Sequence, residues 1–274
     1  MILKAPDHWF DMVFDLIARN GDLNLIGDFL IVGLGGEFKT LHKYLESPKD
    51  VTGSAHVVRT YTGFYKGTRI STIAIAGGGV YAEWIMALAY KRKIKSLIGV
   101  GWCGALAHQL DIGDIVIPTA AVRDENTSDH YVDKRYPSVA DFHLIQLVNA
   151  TFKEIAPEIK VHKGIIITTS STFTESPEWG ENWSSKNVIA VECEISVIYT
   201  LASLIDIPAV NILVVSDHVA KLKSCEQDKS SAEWMSKAFD NALKVAYETT
   251  VKIAALMKEK DSQNSVQPDN ARNK

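Results

Sequence analysis

Short apolar runs alternate with longer amphipathic stretches along most of the chain. Apolar and β-branched runs that end at glycine or other turn residues are typical of buried strands. Such runs predict strands at residues 29–32, 69–76, 96–100, 115–117, 164–169 and 208–215. Stretches with apolar positions three and four residues apart predict helices at residues 81–91, 141–153, 194–205 and 231–258.

The repetition of strand, glycine-rich turn and helix predicts an α/β domain with a parallel or mixed sheet flanked by helices. We assign this domain to residues 29–258 and treat residues 1–28 as an N-terminal helical segment. Residues 259–274 are mostly polar and lack periodicity, so they are predicted to be a disordered tail.

Composition narrows the possible functions. The chain has 274 residues, a formal net charge of −4 and no long block of one charge sign, which argues against a nucleic-acid-binding face. No apolar stretch is long enough for a signal peptide core or a membrane span. Cys103, Cys193 and Cys225 are too widely spaced for a metal site, and an odd, sparse set of thiols favours a reducing compartment. We therefore predict a cytoplasmic protein without a metal.

Glycine-rich turns follow several predicted strands, at residues 33–36, 77–79 and 99–104. In open α/β sheets, ligands bind beyond the carboxyl ends of the strands, where such turns lie. None of these turns continues as Gly-Lys-Ser/Thr, so none is a P-loop. Residues 99–104 have the pattern GxGxxG. In a dinucleotide-binding site this pattern is followed by a helix, whereas here the turn at residues 111–114 leads directly into the next strand.

Three stretches together resemble the purine nucleoside/uridine phosphorylase family. They are GVGWCGAL followed by DIGDIVIP and YPSVADF within residues 99–142, HKGI leading to SSTF within residues 162–173, and AVECEI followed by VVSDH within residues 190–218. Their order and spacing match the family over most of residues 29–258. The resemblance implies a single α/β domain around a mixed, partly closed sheet flanked by helices. It also implies a nucleoside substrate and a homo-oligomer, either a dimer or a trimer of dimers.

The resemblance implies roles for two acids. Glu194 matches the carboxylate that accepts hydrogen bonds from the ribose 2′ and 3′ hydroxyls. A carboxylate suits this role because, when ionised, it only accepts hydrogen bonds. Asp217 matches the acid that, when protonated, donates to N7 of a leaving purine, which requires a raised pKa. The residue types alone also allow plainer explanations, since Glu192 and Glu194 suit the first turn of a helix and Asp217 suits a turn or cap.

Further residues are implied to contact the substrate. Cys193 stands where the family has a methionine against the sugar, between Glu192 and Glu194. Phe173 matches the aromatic that packs on the base, although a core position suits a phenylalanine equally, and Ser171 lies in the same stretch. Residues 175–183 lack the Gln-x-Arg pair that uridine-specific relatives carry, so we predict a purine nucleoside.

The phosphate site departs from the family pattern. Glu37 and Gly99 stand where arginines are expected, and Trp102 replaces a serine or threonine. Loss of a charge-assisted hydrogen bond typically costs about 1.5–3 kcal/mol, so phosphate binding should be weakened. The remaining candidates for this site are the backbone at Gly33 and Gly101, and the cations Arg59, His56, Lys39 and Arg123.

Three hypotheses follow. The first is phosphorolysis to a free base and ribose 1-phosphate, with inorganic phosphate as co-substrate and no other cofactor. The second is hydrolysis, as in related nucleosidases, with Glu37 as a candidate water-activating acid. The third is a non-catalytic nucleoside-binding protein. In each case Asp217 and Glu194 must face one small cavity.

Overall fold

A computed structural model describes residues 4–35, 40–219, 221, 223–224 and 229–265. Within these residues the helices are α1 (Asp7–Ile17), α2 (Gly79–Arg92), α3 (Phe142–Ile155), α4 (Pro177–Ser184), α5 (Ile195–Leu204) and α6 (Lys229–Ser265). The strands are β1 (Phe29–Gly33), β2 (Glu46–Asp50), β3 (Val58–Tyr65), β4 (Thr68–Ile75), β5 (Ser96–Ala105), β6 (Ile115–Asp124), β7 (Ser138–Val139), β8 (Val161–Thr169), β9 (Val188–Glu192), β10 (Ala209–His218) and β11 (Lys223–Ser224).

All described strands belong to one mixed sheet, part of which closes on itself. β5 pairs with β1, β9 and β10, and the further pairings β10–β6, β6–β8 and β8–β9 complete a ring of five strands. From β1 the sheet continues outward through β4 and β3 to β2. The predicted mixed, partly closed sheet flanked by helices is confirmed.

The helices cover both faces of the sheet. Apolar side chains of α1, α2 and α5 form one core cluster with residues such as Val32 and Leu97. Those of α3 and α6 form a second cluster with residues such as Ile31 and Ile98. Alternate residues of β1 and β5 thus point into opposite clusters, because successive side chains of a strand face opposite sides of a sheet.

The N-terminal segment packs on the domain that follows it. Phe10, Phe14 and Ile17 of α1 are buried in the same cluster as Val32 of β1. These buried contacts join residues 7–17 to the rest of the core. At the other end, α6 extends to Ser265, beyond the predicted helix end at residue 258, and the remainder of the predicted tail lies outside the described residues.

Some elements were not predicted from the pattern. β3 has the sequence VRTYTGFY, in which threonine and glycine interrupt the apolar run, although its buried and partly exposed positions alternate at first. α4 did carry helix signals, because Ser176 accepts a hydrogen bond from the Trp179 N–H and Pro177 occupies the first turn. None of the helices among the described residues is long and apolar enough to cross a membrane.

Candidate active site

The strand ends surround a cavity of about 490 Å³. It lies at the carboxyl ends of β1, β4, β8, β9 and β10, beside the later residues of β5, which is where α/β sheets commonly bind ligands. The residues described around it are Leu34, Gly35, Ala76, Gly77, Gly78, Gly79, Trp102, Cys103, Gly104, Thr169, Ser170, Thr172, Glu175, Val191, Glu192, Cys193, Glu194, Ser216 and Asp217.

Asp217 reaches this cavity from the end of β10. The pairing of β10 with β5 shifts register between Val215 and Asp217, and such a bulge redirects the side chains that follow it. The Ser216 hydroxyl donates to Asp217 Oδ1 over 2.7 Å. A methyl group at Gly104 would lie 3.0 Å from Oδ2, so the absence of a side chain there makes room for the carboxyl group.

Glu194 reaches the cavity from the residue before α5. Its carboxyl oxygen Oε1 accepts a short hydrogen bond from the Gly78 N–H. Gly77 and Gly78 have φ values of 126° and 93°, a backbone conformation that favours glycine, and this conformation turns the N–H toward Glu194. Burial raises the pKa of Glu194, and the bond from Gly78 opposes part of that rise.

Glu192 fixes the start of α5. One of its oxygens accepts from the backbone N–H groups of Glu194 and Ile195 at 2.6 and 2.8 Å, and the other accepts a short bond from the Thr168 hydroxyl. Burial, with the nearby charge of Glu194, raises the pKa of Glu192 to about 8. Because both oxygens are engaged by the protein, Glu192 holds Glu194 in position rather than offering a free carboxylate to a ligand.

The residues predicted to contact the substrate divide into two groups. Cys193 lines the cavity, and burial raises the pKa of its thiol to about 12, so the thiol is neutral at physiological pH. Ser171 and Phe173 lie outside the cavity, and Phe173 is fully exposed. Of the short turn at Thr172–Thr174, Thr172 lines the cavity and Phe173 is exposed, so the packing of Phe173 on a base stays a prediction.

Those predicted phosphate-site residues that the structure describes do not line the cavity. Gly33 and Gly101 are not among its lining residues, because Gly33 packs on Leu41 and Gly101 on Leu34. Arg59 lies on β3 and donates to the carbonyls of Val58 and His56 at 2.8 and 3.3 Å. Glu37 and Lys39 lie outside the described residues.

Arg123 is a structural residue. It is buried, and its guanidinium donates to Ser128 Oγ, to Asp129 Oδ1 and to three carbonyl oxygens within residues 132–136. These bonds use all five of its N–H groups. Arg123 therefore braces the segment after β6 and has no donor left for an anion.

Trp102 occupies the wall next to the first glycine turn. Its ring stacks on Phe239 of α6 with centroids 4.6 Å apart, and a methyl group at Gly35 would lie 3.4 Å from its Cδ1. Within the described part of the chain, the lining residues include four carboxyl groups but no Lys, Arg or His. Carboxyl groups are therefore the only acidic or basic groups of the described wall other than the thiols of Cys103 and Cys193.

Gly99, at a position where the family has an arginine, touches a buried amide. A methyl group there would lie 1.7 Å from Asn211 Oδ1. The Asn211 side chain is fully buried and forms no hydrogen bond with any residue that the structure describes. The buried Asn211 side chain therefore occupies the space that a side chain at position 99 would need.

We expect Gly99→Ala to lower the free energy of unfolding by about 2 kcal/mol or more, because overpacking a rigid core displaces its neighbours. Urea denaturation followed by circular dichroism measures this change. Asn211→Ala removes the clashing amide, so the double variant should recover most of the loss. If Gly99→Ala lowers the free energy of unfolding as much in the Asn211→Ala background as in the wild-type protein, the steric explanation is wrong.

Comparison with known proteins agrees with this geometry. The family model described as the phosphorylase superfamily matches residues 29–251. The DeoD-type purine nucleoside phosphorylase of Buchnera aphidicola subsp. Schizaphis graminum is 30% identical over 210 residues, which are 76% of this chain and 86% of that protein. The corresponding protein of Geobacillus kaustophilus is 31% identical over 204 residues, with coverages of 71% and 80%.

A solved structure shares the fold. The uridine phosphorylase of Vibrio fischeri, complexed with 6-hydroxy-1-naphthoic acid, superposes with a TM-score of 0.80 at 21% identity, covering 89% of this chain and 99% of that one. The fold, the family model and the sequence relatives lead to one conclusion. The chain belongs to the nucleoside phosphorylase family of the phosphorylase superfamily.

Proposed function

We propose that this chain cleaves the N-glycosidic bond of a purine nucleoside. The observation that carries the proposal is that Glu194 and Asp217 line the same cavity. Glu194 binds Gly78, just beyond β4, whereas Asp217 lies on β10. The cavity that both acids line has a volume of about 490 Å³. That volume leaves room for a sugar near Glu194 and a base near Asp217.

The two acids suit the two halves of the reaction. Cleavage of a glycosidic bond passes through a sugar with oxocarbenium character, as in other glycosyl transfers. In our proposal, ionised Glu194 accepts the ribose 2′ and 3′ hydroxyls and stabilises positive charge on the sugar. Asp217, when protonated, donates to N7 of the departing purine, because an unprotonated purine anion is a poor leaving group.

Phosphorolysis is the first candidate for the overall reaction. It is supported by the relatives that are 30–31% identical over more than two thirds of this chain, which are named purine nucleoside phosphorylases. In this case inorganic phosphate is the co-substrate and ribose 1-phosphate the product. The homo-oligomer implied by the resemblance stays a prediction. In our proposal a neighbouring subunit of that oligomer supplies a cation for the phosphate.

Hydrolysis is the second candidate, and a specific observation favours it. The described cavity wall carries Glu175, Glu192, Glu194 and Asp217 but no cation, and Trp102 packs against Gly35 where an anion would need donors. Anions bind where N–H groups and positive charges converge, so this wall suits water better than phosphate.

The test measures base release from adenosine and inosine in phosphate-free buffer and in buffer with added phosphate. We expect a free base in at least one condition. Phosphate-dependent release with ribose 1-phosphate identifies a phosphorylase, whereas phosphate-independent release with free ribose identifies a nucleosidase. Saturable nucleoside binding without either product would overturn the proposed cleavage and leave a binding protein.

A further inference from the structure

A further carboxylate, Glu125, lies buried outside the cavity wall. It follows the last residue of β6 and is not among the residues that line the cavity. Its side chain accepts hydrogen bonds from the Ser128 N–H at 3.0 Å and from the Ser196 hydroxyl at 2.9 Å, and it accepts a short bond from the Ser128 hydroxyl. These donors fix the carboxylate in one place. The proposed cleavage gives it no role.

One of these bonds reaches the helix that Glu194 precedes. Ser196 is the second residue of α5, and its hydroxyl donates to Glu125 Oε1. The Ser196 N–H donates to the Thr168 hydroxyl at 2.9 Å, and that hydroxyl donates in turn to Glu192. Glu125 and Glu192 therefore both hold the first turn of α5, and a serine and a threonine connect the two carboxylates.

The backbone around Glu125 contacts two further parts of the site. The Glu125 carbonyl accepts a hydrogen bond of 3.0 Å from the hydroxyl of Ser170, which lines the cavity. Thr127 packs against the start of α2, since a methyl group at Gly79 would lie 2.7 Å from the Thr127 hydroxyl. The residue before Gly79 supplies the N–H that binds Glu194. The segment after β6 therefore contacts the elements on both sides of that hydrogen bond.

Arg123 anchors this segment. Its Nε donates to Ser128 Oγ at 2.8 Å, and the same hydroxyl donates to Glu125. Hydrogen bonds linked in this way strengthen one another in a buried place. We propose that Glu125 is a positioning residue, which fixes the first turn of α5 through Ser196 and so places the Glu194 carboxylate for the ribose hydroxyls. This inference rests on the sugar-binding role proposed for Glu194.

Glutamine at position 125 cannot reproduce these bonds. If its NH₂ group faces the hydroxyls of Ser128 and Ser196, both hydroxyl protons lose their acceptor. If the NH₂ group faces the Ser128 N–H instead, two donors oppose each other. Either orientation disturbs the segment or its bond with α5. A misplacement of about 1 Å caused far from the reacting atoms can lower a rate by about 10²-fold, so a small shift of Glu194 is measurable.

The experiment measures kcat/KM for adenosine and 2′,3′-dideoxyadenosine in the wild-type protein, Glu125→Gln, Ser196→Ala and the control Ser203→Ala. Ser203 is exposed near the other end of α5, so its variant carries the same substitution in the same helix, away from the cavity. We expect Glu125→Gln and Ser196→Ala to lower kcat/KM about tenfold or more for adenosine, but about threefold or less for the dideoxynucleoside, which lacks the hydroxyls. The control should match the wild-type protein.

The two substrates separate positioning from damage to the fold, because a less stable protein loses both activities together. Ser196→Ala keeps the bonds between Glu125 and Ser128, so it tests the link even if Glu125→Gln fails to fold. Equal losses on both substrates, or no loss in Ser196→Ala, would overturn the inference while the proposed cleavage stands. A wild-type protein that releases no base from adenosine would overturn the proposed cleavage itself, and one that cleaves both nucleosides equally would overturn the role of Glu194.

Discussion

Asp217→Asn should lower kcat for base release from adenosine by about 10²- to 10⁴-fold, the usual contribution of a positioned general acid. The asparagine amide is similar in shape and still donates a hydrogen bond, but it cannot transfer a proton to the departing base. KM should change little, because the contacts to the sugar remain. Steady-state kinetics with spectrophotometric or chromatographic detection of the free base measures both constants.

A chemical control distinguishes proton transfer from simple damage to the site. A purine nucleoside methylated at N7 already carries the positive charge that the acid would supply. The Asp217→Asn variant should therefore retain most of its activity toward that substrate. Asp124→Asn, the same change at the exposed end of β6, should match the wild-type protein. An equal loss on both substrates would remove Asp217 from the role of proton donor.

Glu194→Ala should lower kcat/KM for adenosine by about 10²- to 10⁴-fold. This estimate assumes loss of two hydrogen bonds between a carboxylate and sugar hydroxyls, each contributing about 1.5–3 kcal/mol. The buried site strengthens such bonds, because water does not compete for them. The variant also loses the acceptor for the Gly78 N–H, so its thermal unfolding should be measured alongside its activity.

The substrate supplies the matching control. 2′,3′-Dideoxyadenosine lacks the hydroxyls that Glu194 is proposed to bind, so the wild-type protein should discriminate strongly against it. The Glu194→Ala variant should discriminate much less, because the two changes remove the same interaction. If the variant distinguishes the two nucleosides as well as the wild-type protein does, Glu194 does not bind the sugar hydroxyls.

Much of the fold follows from local pattern. The runs that became β1, β5 and β10 are short, apolar and bounded by turn residues, and α6 shows apolar residues at helical spacing. These elements are predictable because burial of one helix face requires apolar residues at helical spacing, and burial of a whole strand requires a continuous apolar run. The apolar pattern is weaker in the partly exposed β3 and in the short α4, and neither element was predicted.

Some residues of the candidate site could be predicted from the sequence, and the placement of others could not. Asp217 and Glu194 were predicted from motifs at a strand end and a helix start, and the structure brings both to one cavity. Phe173 and Ser171 lie in a short irregular turn, where no period indicates which side chains face inward. Arg59 and Arg123 were candidates only by charge, and their hydrogen bonds to backbone carbonyls could not be seen in the sequence.

By itself the sequence determined the α/β class, the principal strands and helices, the family resemblance and the departure from the usual phosphate residues, because these depend on residue type and local spacing. Only the tertiary structure decided that Glu175 lines the same cavity as Asp217, that Trp102 packs between Phe239 and Gly35, and that Asn211 fills the space above Gly99. These are contacts between residues far apart in the chain. Their charge and packing effects arise only when the fold removes water and brings the groups together.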